Sequence, residues 1–210
     1  MNEEIEYKQD WDDFVHCLER RRITEFYHYT VINNIYSILK YLNILSRYKM
    51  SQMGIMPARI NFWGSKLDSL KDYICLTINP LYSIQKIVKQ EVVVLGINPR
   101  VIYYKDTVFS PVNSARSSIS IDEIFAHFDL EGFESLFVGE YEKRTRFHEA
   151  EVLVKNNIGI RDIQTIYFPT SNLLNKYKIK YLKWKIYALL KGNIYMPKLS
   201  IAPSGLKLFS

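Results

Sequence analysis

Five short runs of strand-forming residues, at 73–78, 91–97, 101–104, 150–155 and 164–168, are scattered among helical segments instead of alternating with them one for one. That order excludes a doubly wound parallel sheet and predicts an α+β domain. Asn98 and Pro99 mark a turn between the second and third runs, residues 156–159 read as a turn between the last two, and Pro169 ends the series. Before the first strand, residues 9–22 set Trp11, Phe14, Val15 and Leu18 at i, i+3, i+4 and i+7, with acids early and Arg20, Arg21 and Arg22 late, as an amphipathic helix requires. Thr30 is placed to cap a second helix whose apolar stripe, Val31, Ile35, Ile38, Leu39 and Leu42, ends near Asn43. Residues 47–70, with Gly54, Pro57 and Gly64, read as a long loop over a site. Ser120 or Asp122 opens a third helix, and residues 133–138 continue the helical region. Residues 171–190 read as a final helix closed by Gly192, although 176–181 alternate strictly enough to suit a strand. The expected organisation is a helical extension over 1–22 and one domain over 23–210.

The composition narrows the chemistry. With 48% apolar and 14% aromatic residues in 210, a packed core is assured. No run approaches the roughly 18 apolar residues of a membrane-spanning helix. The acidic start lacks the apolar region of a secretory signal, so a cytoplasmic location and no membrane partner are expected. Cys17 and Cys75 lie too far apart for a metal knuckle and read as buried thiols. His16, His28, His127 and His148 form no i,i+4 pair, so no metal site is expected. There is no Walker loop, GxGxxG or nucleophile elbow, which leaves metal-independent chemistry or a bound cofactor.

Charge is unevenly placed. No Asp or Glu follows Asp162, whereas eight lysines do, so residues 163–210 carry +8 and residues 1–162 carry −2 of the chain's +6. Tyr177, Tyr181, Trp184 and Tyr187 interleave with those lysines, a mixture suited to neutralising phosphates and stacking bases. The same pattern also fits an amphipathic helix with solvated lysines and core-facing rings.

Two segments far apart could carry chemistry: Phe26-Tyr27-His28-Tyr29-Thr30, and Phe147-His148-Glu149-Ala150-Glu151-Val152-Leu153-Val154. Glu151 heads an apolar strand, where a carboxylate is costly without a partner or a cleft edge. Period two sets Glu149 and Glu151 on one strand face, and like charges that close favour a raised pKa and a functional role. An edge strand protected by charge would look the same.

These residues resemble the DarT-type ADP-ribosyltransferase toxins. The family's His-x-Thr-x-x-x-Asn-Leu-x-x-Ile-Leu is matched by His28, Thr30, Asn34, Ile35, Ile38 and Leu39, and its Leu-Leu-Ser by Leu45 and Ser46. Its Asp-Tyr-Val strand resembles Asp72-Tyr73-Ile74, followed by Asn79-Pro80, and its Phe-Thr-Asp-x-Asn-Ala-Ala resembles Phe109-Ser110-Pro111-Val112-Asn113-Ser114-Ala115. Its Gln-Ala-Glu-x-Leu-Val is matched from Glu149 to Val154. The resemblance implies a split β-sheet core clasping NAD, with peripheral helices. It implies Glu151 as the catalytic carboxylate with Glu149 beside it facing the acceptor, His28 and Thr30 at the adenosine ribose, Asn34 among the cofactor-binding residues, Arg59 at the pyrophosphate and Tyr73 or Tyr82 at the nicotinamide. It implies a base of single-stranded DNA as acceptor and a macrodomain-type or other antitoxin as partner; Asn113 and Arg116, with Lys176, Lys180, Lys183 and Trp184 of the basic segment, are the expected nucleic-acid contacts. Glu149 stands where the family has Gln, making a Glu-x-Glu pair like that of transferases that modify arginine. RNA and protein arginine are therefore alternative acceptors, and a non-catalytic nucleic-acid-binding module is the alternative of a different class.

Overall fold

The computed structural model describes residues 5–56, 69–78, 91–114, 119–137, 150–190, 192 and 195–203. Among them the helices are α1 (Trp11–Arg21), α2 (Asn34–Tyr41), α3 (Arg47–Gln52), α4 (Ile121–Ala126), α5 (Leu130–Ser135) and α6 (Ser171–Leu190). The strands are β1 (Phe26–Val31), β2 (Asn43–Leu45), β3 (Tyr73–Thr77), β4 (Val92–Ile97), β5 (Val108–Ser110), β6 (Glu151–Lys155), β7 (Asn157–Gly159), β8 (Ile163–Phe168) and β9 (Lys198–Ile201).

Seven strands form one sheet in the order β5-β6-β3-β1-β4-β8-β9, antiparallel except for the β8–β9 pair. Its pairing is unequal. β1 matches β4 at six positions, from Phe26↔Ile97 to Val31↔Val92, but meets β3 at one, Tyr27↔Thr77. The sheet is thus two ladders, β5-β6-β3 and β1-β4-β8-β9, joined at a single register position, which is the split sheet that the sequence resemblance implies.

The main core lies on the sheet face that carries Phe26, Leu76, Leu95, Ile97, Phe109 and Val152. Over it α1 lays Phe14, Cys17 and Leu18, and α2 lays Ile35, Ile38 and Leu39. Phe14 packs its ring 6.0 Å from both Phe109 and Phe133. The residues preceding α1 are tied down as well: the Lys8 ammonium is buried and donates to the carbonyls of Thr107 and Phe128.

Several local expectations change. Residues 26–31 form a strand, and α2 begins only at Asn34, so Thr30 is not its cap; the Thr30 hydroxyl instead accepts from Asn34 Nδ2 at 3.0 Å. The 47–70 segment contains α3, because the Ser46 hydroxyl accepts from Lys49 N and caps it. Residues 99–103 are a 3₁₀ turn and not a strand: Pro99 fixes a helical φ and the Asn98 side chain accepts from Arg100 N. The expected turn at 156–159 contracts to Asn156, held at φ 65°, after which β7 pairs with β2 in a separate two-stranded sheet. Helix 171–190 is present, so the alternating stretch inside it is not a strand.

Candidate active site

The site is built where the two ladders part. Beyond Tyr27↔Thr77, β1 and β3 no longer pair, and His28 fills the gap: its Nδ1 lies 3.1 Å from the Cys75 carbonyl. A carbonyl only accepts, so Nδ1 carries the proton and Nε2 presents its lone pair. Burial holds the imidazole below its ordinary pKa, which keeps it neutral.

Ser110, Glu151, Thr77 and Tyr27 sit opposite one another across β5, β6, β3 and β1 and therefore share one sheet face. Glu151 is only 5% exposed. Its two oxygens accept from Asn113 Nδ2 at 3.2 Å and Ser114 N at 2.8 Å. These donors are aimed by a turn after β5, in which the Ser110 hydroxyl donates to the Val112 carbonyl at 2.6 Å. Ser114 also brings its hydroxyl 3.8 Å from Cys75 Sγ. A continuous chain of contacts therefore runs from the Glu151 carboxylate through Ser114 and Cys75 to the His28 imidazole. Burial, then the Glu151 charge, pushes the Cys75 thiol up to about 12, so it is a protonated spacer and not a nucleophile.

The other expected residues divide. Thr30 is buried and joined to Asn34 on the His28 side of the split. Asn113, expected at the nucleic acid, holds the catalytic candidate. Tyr73 packs on Phe125 at 5.7 Å, four residues along β3 from Thr77, or roughly 13 Å from the Glu151 row at about 3.3 Å per residue. Glu149, Arg59, Tyr82 and Arg116 lie outside the described residues.

Lys176, Lys180 and Lys183 are exposed on α6, and Trp184 stands edge-on to Tyr36 of α2 at 4.8 Å. Asn33, Tyr36, Lys180, Tyr181 and Trp184 line a groove there of about 120 Å³. This groove is remote from Glu151. α6 covers β8 and β9, and β8 is four strand spacings from β6, about 19 Å. Sequence reasoning missed Ser114 and Cys75 as structural members of the site, because they act through a backbone N–H and a backbone carbonyl. Among the described residues no group of His, Cys, Asp and Glu side chains is placed to hold a metal ion, and no helix is long and apolar enough to cross a membrane.

Comparison with known proteins decides the family. The family model described as ssDNA thymidine ADP-ribosyltransferase, DarT, matches residues 27–187. The chain belongs to the DarT family. The match starts at Tyr27, so α1 precedes it. No curated protein matches the chain in sequence. Among solved structures, Thermosipho africanus DarTG in complex with ADP-ribose is similar at 18% identity and TM-score 0.57, over 87% of this chain and 51% of that one. Thermus sp. 2.9 DarT in complex with ADP-ribosylated ssDNA is similar at 17% identity and TM-score 0.57, over 88% of this chain and 96% of that one. The same Thermus protein in complex with NAD⁺ gives 18% identity and TM-score 0.55, over 87% and 97%. The DarT fold is therefore shared, and the chain spans about half the length of the Thermosipho protein.

Proposed function

We propose that this DarT-family chain transfers ADP-ribose from NAD to a base of single-stranded DNA, thymidine being the acceptor in the family's description, with Glu151 as the catalytic carboxylate. The carrying observation is a buried carboxylate gripped by two N–H donors and linked through one strand to a neutral histidine across the split. Loss of nicotinamide takes the bonding electron pair from ribose C1′ and leaves an oxocarbenium-like cation, as in glycoside chemistry. A fixed carboxylate in a low-dielectric setting stabilises that charge without reorganising. Asn113 and Ser114 hold it in place. His28 Nε2 accepts a ribose hydroxyl, with Thr30 and Asn34 beside it. A ring nitrogen of the base then bonds C1′ and releases its proton, Glu149 being the acceptor-facing candidate.

Arg59 for the pyrophosphate belongs to the same proposal. So does Tyr82 for the nicotinamide, preferred to Tyr73 because the Tyr73 ring is engaged with Phe125. Lys176, Lys180, Lys183 and Trp184, with Arg116, serve the strand outside the reacting base. In the cell we place the protein in the cytoplasm as the toxin of a toxin–antitoxin or phage-defence module, with a macrodomain-type antitoxin. The doubled length of the Thermosipho chain is consistent with such a second component.

The test is incubation with labelled NAD and, separately, single-stranded DNA, RNA or cell protein. Label is expected on the DNA alone, and lost with Glu151→Gln. Label on RNA or protein overturns the acceptor. Binding of DNA with no nicotinamide release at all overturns the enzyme.

A further inference from the structure

α6 has two apolar faces. Inward it presents the buried Leu173, Leu174 and Ala188, with Tyr177, Tyr181 and Trp184 packed on the core. Outward it presents Ile179, Leu182, Ile186 and Leu189, which are 71%, 57%, 52% and 47% exposed. Their spacing of three, four and three residues is a heptad seam with Ile at both a positions and Leu at both d positions, the combination that favours pairing with one other helix. In that register Lys176 and Lys183 are at e, Lys178 and Lys185 at g, and all four are exposed. We propose that this seam docks one acidic amphipathic helix of a partner protein, its aliphatic residues against Ile179, Leu182, Ile186 and Leu189 and its carboxylates against the four flanking lysines. The seam lies apart from Glu151, but Lys176 and Lys183 also belong to the strand-binding surface proposed above, so a helix docked here takes those two lysines from the DNA.

Four contiguous exposed aliphatics are more than the scattered single ones of an ordinary surface. A second copy of this chain would set lysine against lysine along both flanks, which disfavours self-pairing. Nucleic acid stacks on rings, and the seam contains none. A helix lying on a membrane gains from apolar area and anionic headgroups whatever the order of its aliphatics, so strict alternation of Ile at a with Leu at d points to a helical partner, and vesicles form a separate arm of the test. Two heptads are too short for an isolated pair, but α6 is already held on β8 and β9, so only the partner has to be ordered.

The experiment titrates the full chain into a fluorescent three-heptad peptide with Ile at a, Leu at d and Glu at e and g. A matched peptide carries Lys at e and g. The Glu peptide is expected to bind at least about tenfold more tightly, since four exposed pairs each contribute about a factor of two. The double variant Ile179→Ser, Ile186→Ser is expected to lose binding with an unchanged unfolding midpoint, because both residues are exposed. The quadruple Lys→Glu variant at 176, 178, 183 and 185 is expected to prefer the Lys peptide. Equal binding of both peptides, undiminished binding by the serine variant, a dimer that dissolves in that variant, or binding only to phosphatidylcholine–phosphatidylserine vesicles each overturns the proposal.

Discussion

The split between β1 and β3 and the outer side of α6 handle charge in opposite ways. At the split one carboxylate is buried and two N–H groups from a single turn hold it. Along α6 five lysines, at 176, 178, 180, 183 and 185, stand exposed. A desolvated charge depends on each of its hydrogen bonds, whereas exposed charges act by number and are individually replaceable. The proposed chemistry therefore belongs to the first region and the proposed partner attraction to the second.

Predictions follow that contrast downward in size. Glu151→Gln is expected to reduce ADP-ribosyl transfer by about 10²–10³-fold, the scale for removing one preorganised electrostatic group, measured as label per DNA strand at saturating NAD. Retained transfer would erase the distinction between the regions. Asn113→Ala removes one hydrogen bond to a charged group, about 1.5–3 kcal/mol, and is expected to lower kcat about tenfold or more while KM for NAD changes less. His28→Gln is expected to act in reverse, raising KM more than it lowers kcat.

His28→Gln also tests the imidazole's environment. Its folded-state pKa lies below the ordinary value of 6.5. As pH falls through and below that value the unfolded chain takes up a proton that the folded chain resists, so the associated stability is present above it and lost in acid. Urea midpoints at about pH 7 and about pH 5 are therefore expected to differ more in the wild type than in His28→Gln. The smallest effect is expected from Lys180→Ala: a two- to threefold change in single-strand affinity and a salt slope shallower by about 0.7. A larger loss would make one α6 lysine behave like a buried group.

How much of this was readable from sequence follows from the same physics. Glu151 stood out because a carboxylate at the head of Val152, Leu153 and Val154 needs a reason to be there, and the partners that supply one are Asn113 and Ser114. Ser114 and Cys75 were not readable in those roles, since a backbone amide or carbonyl has no side-chain signature. The split was implied only through the resemblance of the flanking motifs, and its register, one matched position at Tyr27↔Thr77, was not readable. Thr30 misled as a helix cap because Val31, Ile35 and Ile38 have helical spacing, yet Phe26 to Val31 gain more from six matched positions on β4. Residues 101–104 look like a strand by composition, but Asn98 and Pro99 wind them into a 3₁₀ turn. α6 was legible as a helix, while its second apolar stripe emerged only once its inward face was known.

The single matched position between β1 and β3 has an evolutionary consequence. Substitutions that zipped those strands together would satisfy more backbone groups and raise the melting temperature, yet they would close the gap in which His28 reaches across. Thermostable variants selected without an activity screen should therefore accumulate changes along this boundary and emerge as well-folded, inert proteins.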